Sequence, residues 1–240
     1  MLLTKKIEYY DKETLLEGYC AYHDDTSAKK PTILVIHDWS GRNDFACQKA
    51  EQLAELGYVG FALDLYGKGI TGKTNDEKTA LMKPFVNDRK MLRQRLLAAF
   101  ETVTKLEYVN TAKIGAMGFC FGGLCALDLA RSGVDVRGVV SFHGLLHSPE
   151  NVSVVKPIRT KILVLHGYED PMVPVSQVTA FENEMTNAHA DWQVHVYGNT
   201  KHAFTNPQAN DPNLGTVYNN VADKRSWVTM KSFFEEIFKT

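Results

Sequence analysis

A cysteine inside a glycine-rich turn is the residue of this sequence best placed for chemistry. Residues 118–123 read Gly-Phe-Cys-Phe-Gly-Gly, between a strand-like run at 113–117 and a helix-like run at 124–130. A strand, a sharp turn and a helix form the context of a nucleophile elbow, G-x-S-x-G, with Cys120 in place of the serine. The alternative interpretation is a buried core cysteine beside a glycine-rich turn, because a free cysteine is usually a small core residue. The six residues alone do not separate these interpretations.

The glycines of this turn have mechanical reasons. Gly118 and Gly122 are expected to let the chain reverse where a strained nucleophile backbone packs against its neighbours. Gly123 is expected to let the following helix start close to the sheet. Such a turn lifts the Cys120 sulfur above the sheet and points the N-terminus of the helix at it.

Two downstream residues supply the partners that a cysteine nucleophile needs, a base and a group that orients the base. Asp170 lies in a loop after an apolar strand-like run, and His202 lies in a polar loop after the next one. Asp170 follows Cys120 by 50 residues and His202 follows Asp170 by 32, which fits one strand–helix–strand between each pair. The order nucleophile, acid, histidine is that of the α/β-hydrolase fold. The sequence therefore predicts Cys120 as nucleophile, Asp170 as orienting acid, and His202 as base and acid.

Strands and helices alternate along the chain, which predicts an α/β-hydrolase fold with a mostly parallel central sheet and helices on both faces. The first two strands, expected at 6–10 and 14–22, predict an N-terminal antiparallel hairpin. A long helical stretch at 76–106 is expected to break before Pro84. Further strands are expected at 32–36, 58–63, 113–117, 136–142, 161–166 and 192–197, and helices at 43–56, 122–131, 175–188 and 219–238.

No linker or repeat divides the sequence, so residues 1–240 are interpreted as one domain. Irregular stretches at 64–75, 143–160 and 198–216 mostly follow predicted parallel strands. Open α/β sheets place their sites at the carboxyl ends of such strands.

Composition excludes several classes of partner and location. A net charge of -1 offers no broad attraction to nucleic acid or anionic lipid, so neither is expected as a partner. No apolar run approaches the roughly 18 residues of a membrane span. The four cysteines show no metal-ligand spacing, and the start of the chain lacks a signal-peptide core, so we expect reduced thiols, a cytoplasmic protein, and no metal or cofactor.

Five segments, taken together and in order, resemble the dienelactone hydrolase family. The resemblance implies an α/β-hydrolase domain without a large lid, a Cys-His-Asp triad, and hydrolysis of a small-molecule lactone or ester. The matching segments are Gly-Phe-Cys-Phe-Gly-Gly, His166-Gly167-x-x-Asp170-Pro171, Lys201-His202-Ala203-Phe204, His37-Asp38-Trp39-Ser40-Gly41 and Asp64-Leu65-Tyr66-Gly67.

The resemblance also implies roles around the nucleophile. In the family, the loop after the early strand and the residue after the nucleophile supply the two oxyanion-hole N–H groups, which here would be those of Trp39 and Phe121. The family places an acid from the same early loop beside the thiol, and Asp38 matches it. The alternative for Asp38 is a helix-capping or loop acid.

One departure from the family concerns the substrate. The best-known members hold the dienelactone carboxylate with arginines, one of them shortly after the catalytic histidine, whereas residues 202–207 contain none. Weak discrimination in favour of carboxylate-bearing lactones is therefore expected. Arg89 and Arg93, one helical turn apart, would be a substitute cationic wall, although a solvated face paired with Asp88 or other acids is the more common role of such residues.

Other interpretations stay open at this point. The same fold and triad serve thioesterases, peptidases and acyltransferases, and a non-catalytic relative that binds a small molecule is a further alternative. His37 and His143 each end a predicted strand, and His166 lies just before Gly167. All three are candidates to line the site, although a hydrogen-bonded structural histidine is the more common case at a strand end.

Overall fold

A computed structural model describes residues 1–24, 28–149 and 157–239 of the chain. The described residues cluster into two compact units, Met1–Met117 and a second that starts at Gly118. The expected irregular stretch at 143–160 lies partly outside the described residues, since these omit 150–156.

The first unit combines a small mixed sheet with helices. Lys12, with a φ of 53°, forms the tight turn between its first two strands, which pair antiparallel from Asp11↔Thr14 to Leu2↔His23 and confirm the predicted hairpin. The fourth strand pairs antiparallel with the second and parallel with the third. Its described elements are β1 (Leu2–Asp11), β2 (Thr14–His23), β3 (Lys30–Ile36), α1 (Asp44–Glu55), β4 (Val59–Ala62), α2 (Asn75–Asn87), α3 (Arg89–Thr104) and β5 (Val109–Phe119), which runs on into the second unit.

The expected helix break before Pro84 is wrong. Pro84 lies inside α2, and the break falls at Asp88. The Asp88 carboxylate accepts hydrogen bonds from Lys90 N and Met91 N, each at 3.0 Å, and so caps α3. A side-chain cap provides the partners that a new helix start needs, whereas a proline near the end of a helix removes only one backbone donor.

The second unit contains three parallel strands and the helices packed against them. The strands β6, β7 and β8 pair in register from Gly138↔Lys161 and Ile162↔Trp192. The residues of β6 are all buried, as expected for a strand covered on both faces. The described elements are α4 (Phe121–Arg131), β6 (Gly138–Phe142), β7 (Lys161–Gly167), α5 (Val175–Asn187), β8 (Trp192–Tyr197), β9 (Asn210–Asp211), β10 (Thr216–Val217) and α6 (Asn220–Lys239).

Alternating strands and helices with parallel strand pairs confirm the predicted α/β class. Among the described helices, none combines the length and the apolar character needed to cross a bilayer.

Candidate active site

The turn between β5 and α4 is strained and has the geometry predicted for a nucleophile elbow. Cys120 has a φ of 55° and a ψ of -117°, a conformation that non-glycine residues rarely adopt. A Cβ on Gly118 would lie 1.9 Å from the Gly122 carbonyl oxygen, and one on Gly123 would lie 2.6 Å from Ser141 Oγ. These contacts leave room only for glycine at both positions, as the sequence analysis expected. The turn therefore presents Cys120, which is half-buried, at the end of β5.

The predicted acid and base are in direct contact. His202 Nδ1 lies 2.7 Å from Asp170 Oδ2, and both side chains are almost completely buried. The second carboxylate oxygen of Asp170 accepts a hydrogen bond of 2.9 Å from Met172 N. With both oxygens engaged, the carboxylate is held still and fixes the orientation of the imidazole.

The loops that carry the acid and the base approach each other at a glycine. A Cβ on Gly167 would lie 2.5 Å from the Thr200 carbonyl oxygen. The same oxygen accepts a hydrogen bond from Glu169 N at 2.9 Å. The glycine that precedes Asp170 in the sequence motif is thus needed for the histidine loop to come close.

A short hairpin, β9 and β10, holds the histidine loop on its other side. His202 N donates to Gly215 O, and Val217 N donates to His202 O, each at 3.0 Å. Gly215 has a φ of 79°, and a Cβ there would lie 2.2 Å from Pro171 Cγ. The sequence analysis missed this hairpin, because two-residue strands carry no periodic signal.

The second nitrogen of the His202 ring is also buried. With Nδ1 bonded to Asp170, Nε2 is the nitrogen left to interact with the Cys120 thiol. Burial lowers the pKa of the imidazole, but the charges of Cys120 and Asp170 and their hydrogen bonds outweigh it and raise the pKa to about 10. The ring between them is therefore a strong base, with Asp170 stabilising its charged form.

Two further histidines border the acid and the base. His143 contacts the ring of His202 at a centroid separation of 5.2 Å. His166 is buried, and burial lowers its pKa. His166 Nδ1 has no hydrogen-bond partner among the described residues. The sequence analysis named both as candidates to line the site, with a structural role as the more common case.

The loop after β3 holds two consecutive peptide groups in a defined orientation. His37 Nδ1 donates to the Asp38 carbonyl at 2.6 Å, because its Nε2 accepts from Leu65 N. Tyr66 Oη donates to the Trp39 carbonyl at 2.9 Å. In a trans peptide the Trp39 N–H points away from the Asp38 carbonyl, and in the described part of the chain this N–H has no partner. Its placement in an oxyanion hole stays a prediction.

The side chain of Asp38 organises the same loop. Its Oδ1 accepts hydrogen bonds from Ser40 N, at 2.8 Å, and from Ser40 Oγ. This contact matches the alternative interpretation of a loop acid, and the role beside the thiol stays a prediction.

A buried aspartate explains the second early motif. Asp64 is completely buried, and its carboxylate accepts four backbone N–H hydrogen bonds of 2.9–3.0 Å. The donors are Glu17, Tyr66, Gly67 and Gly69. The motif therefore shapes the loop after β4.

The arginines of α3 differ in how far they are buried. Arg93 is exposed and Arg89 is partly exposed, and their predicted contact with substrate stays a prediction. The buried arginine of this helix is Arg95, which forms an ion pair with Asp11 at 3.2 Å. Among the described residues, no cluster of three His, Cys, Asp or Glu side chains is suited to a metal ion.

Comparisons with known proteins find relatives over most of the chain. The model of the dienelactone hydrolase family matches residues 16–238. A putative carboxymethylenebutenolidase of Aquifex aeolicus is 28% identical over 215 residues, covering 87% of this chain and 89% of that protein. A probable 2-oxo-3-(5-oxofuran-2-ylidene)propanoate lactonase of Bradyrhizobium sp. is 26% identical over 212 residues, covering 84% and 85%. A solved dienelactone hydrolase-like promiscuous phosphotriesterase from metagenomic libraries is 33% identical with a TM-score of 0.93, covering 98% of both chains.

These matches define an α/β-hydrolase, which confirms the predicted fold. The chain belongs to the dienelactone hydrolase family. It is accordingly a carboxylic ester or lactone hydrolase that acts on small molecules.

Proposed function

We propose that the protein hydrolyses small esters or lactones through a covalent acyl-enzyme formed on Cys120. The observation that carries this proposal is the position of His202, bonded to Asp170 through Nδ1 and with a buried Nε2 left to interact with the Cys120 thiol. A base oriented by a carboxylate and next to a half-buried thiol at a strained elbow is the arrangement that nucleophilic catalysis needs.

In the first half of the proposed reaction, His202 Nε2 holds the thiol proton and the Cys120 thiolate attacks the substrate carbonyl carbon. The electron pair of the carbonyl moves to its oxygen, which the N–H groups of Phe121 and Trp39 stabilise. Trp39 is assigned on the family resemblance. The intermediate then collapses, the bond to the leaving oxygen breaks, and His202 protonates that oxygen.

In the second half, a water molecule enters and gives a proton to His202 Nε2 as its oxygen attacks the thioester carbonyl. The second intermediate expels the Cys120 sulfur and releases the carboxylic acid. Asp170 keeps its proton-free form throughout and stabilises the imidazolium in both halves. A lactone gives a single hydroxy acid, whereas an open ester gives an alcohol and an acid.

The first test compares two half-buried cysteines, Cys120 and Cys47. Burial raises the pKa of the Cys47 thiol, and the residue has no histidine partner among its described contacts. Iodoacetamide should therefore alkylate Cys120 much faster than Cys47 near neutral pH, as followed by peptide mass spectrometry. Equal rates would contradict activation of Cys120 by His202.

The second test is turnover of a panel of lactones, aryl esters and thioesters. Cys120→Ala should abolish turnover, while Cys47→Ala should keep it as the matched control. The panel also separates an esterase or lactonase from a thioesterase. If the protein binds members of the panel but turns over none of them, the non-catalytic alternative is favoured.

A second candidate activity is phosphotriester hydrolysis. It is favoured by the likeness to the promiscuous phosphotriesterase, at 33% identity over 98% of both chains. The same thiolate would attack phosphorus and expel an aryloxide, leaving a phosphoryl group on Cys120 for water to remove. Turnover of a p-nitrophenyl phosphotriester that Cys120→Ala loses would support it, and turnover unaffected by that substitution would contradict it.

A further inference from the structure

His143 occupies a strained position at the carboxyl end of β6. Its φ is 39°, its side chain is 2% exposed, and its N–H continues the sheet by donating to Leu165 O at 2.8 Å. A non-glycine residue with positive φ persists only where its surroundings over-determine it, and such residues concentrate at functional sites. The contacts of the imidazole hold His143 in this conformation.

The two ring nitrogens of His143 join two separate loops. Nδ1 accepts a hydrogen bond of 3.1 Å from Cys120 N, the backbone of the nucleophile. Nε2 lies 2.8 Å from Thr205 Oγ1, three residues beyond His202. Because Nδ1 accepts, the ring proton resides on Nε2, and the neutral ring donates to the threonine hydroxyl.

The ring of His143 also contacts two rings of the histidine loop. His143 and His202 form a T-shaped pair with centroids 5.2 Å apart, and His143 and Phe204 form another at 5.0 Å. One side chain thus contacts the backbone of the nucleophile, the ring of the base and the hydroxyl that follows the base.

The contact with Cys120 N bears on the strained elbow. This N–H is shared between Nδ1 of His143 and the carbonyl of Phe142, which lies 3.0 Å away. This N–H lies in the peptide plane between Phe119 and Cys120, so two acceptors on it hold that plane, from which the φ of 55° orients the rest of Cys120. The sulfur is aimed by that angle.

We propose that His143 is a positioning residue that holds the Cys120 elbow and the His202 loop at the separation that proton transfer requires. The proposal rests on the function proposed above. His143 exchanges no proton in the reaction; it acts through Cys120, Thr205 and His202. Misplacing reacting groups by about 1 Å costs about a hundredfold in rate, so losing either hydrogen bond should lower kcat with little change in KM.

The first experiment changes Thr205, which is 1% exposed, so that the His143 ring itself stays intact. Thr205→Val removes the hydroxyl at nearly constant volume, and Thr205→Ser keeps it. We expect Thr205→Val to lower kcat by about tenfold to a hundredfold with KM within about twofold of the wild type, and Thr205→Ser to restore kcat. Equal losses in both variants, or an unchanged kcat in Thr205→Val, would overturn the proposal.

The second experiment separates the two nitrogens. His143→Asn places an oxygen near the Nδ1 position, His143→Gln places an amide nitrogen near the Nε2 position, and His143→Phe keeps the ring without either hydrogen bond. We expect kcat to fall furthest in His143→Phe and by less in the two amides. A higher kcat in His143→Phe than in both amides would show that ring shape matters instead of the hydrogen bonds.

Cys120→Ala in the same assay distinguishes the two proposals. Full turnover in Cys120→Ala would remove the covalent mechanism and the positioning role together. An inactive Cys120→Ala with wild-type kcat in Thr205→Val would overturn only the role of His143. Thermal melting of each variant identifies any that fail to fold. If the His143 variants do not fold, the Thr205 pair alone decides the proposal.

Discussion

The first backbone N–H groups of a helix have no partner within the helix, and the starts of α2 and α4 treat these groups in opposite ways. Before α2, Thr74 Oγ1 accepts a hydrogen bond from Glu77 N, and Glu77 Oε2 accepts one from Thr74 N in return, which forms a complete capping box. Before α4, the cap position is Cys120, whose side chain makes no capping hydrogen bond and whose φ is 55°. One start satisfies its own backbone donors, and the other leaves its cap side chain available for chemistry.

The difference teaches where this protein gives up stability for function. A side-chain cap typically contributes about 1 kcal/mol, and α4 lacks it at the point where a strained residue adds a further cost. A helix N-terminus without a side-chain cap also directs its dipole and N–H groups at an anion that forms there. Changes at α2 should therefore affect stability, and changes at α4 should affect turnover.

The largest expected effect comes from comparing two variants, Cys120→Ala at the start of α4 and Thr74→Ala at the start of α2. Loss of Cys120 should lower kcat by about 10⁴-fold or more with the fold intact, because the thiol is the proposed covalent centre. Thr74→Ala should leave kcat unchanged and lower the free energy of unfolding by about 1 kcal/mol. Steady-state kinetics and denaturant unfolding measure the two quantities. Retained turnover in Cys120→Ala would break the contrast.

Asp170 and His202 should contribute to turnover as one unit with Cys120. Asp170→Asn keeps the loop but no longer fixes the imidazole tautomer or stabilises its cation, so kcat should fall by about 10⁴-fold. The kcat of His202→Gln should fall by a similar factor, and the kcat of the double variant should be little lower than that of either single variant. Losses that multiply in the double variant would mean that the two residues act independently.

The pH dependence should report the charge on His202. Its pKa is raised to about 10, so the imidazolium that protonates the leaving oxygen in the proposed reaction is present below that pH and lost above it. We expect kcat/KM to fall about tenfold per pH unit as the pH rises through this value, as a property of the Cys120–His202 pair. Cys120→Ser removes the main interaction that raises the pKa, so an NMR titration should find the His202 pKa lowered. An unshifted His202 in that variant would contradict the pairing.

The smallest effect concerns substrate charge. Because residues 202–207 offer no arginine, a lactone with a free carboxylate should be preferred to its amide by less than about tenfold, or 1.4 kcal/mol. Catalytic efficiencies on the matched pair test this. A larger preference that disappears in Arg89→Ala or Arg93→Ala would show that these arginines contact the substrate.

Much of the fold and the acid–base contact could be predicted because their signals are local. Strand–helix alternation gave the α/β class, and the glycine spacing around Cys120 predicted the elbow whose close contacts exclude a Cβ. The order of Asp170 and His202 predicted a contact that the structure places at 2.7 Å. Each of these depends on residues close in sequence or on a fixed order of strands.

The remaining features depend on packing between distant residues. The link from His143 to Thr205 spans 62 residues and rests on one ring orientation, which no periodicity encodes. The helix break moved from Pro84 to Asp88 because a side-chain cap outweighed the proline preference. Arg95 is buried because Asp11 pairs with it, a contact between a helix and the first hairpin turn.

Trapping the acyl group on Cys120 tests the central claim most directly. Asp170→Asn should slow the hydrolysis of the thioester, so a p-nitrophenyl ester added to this variant and quenched in acid should leave the acyl mass on one peptide. The account predicts that this peptide contains Cys120, with Cys47, Cys20 and Cys125 unmodified. An acyl group on any other residue, or release of p-nitrophenol by Cys120→Ala at the wild-type rate, would contradict it.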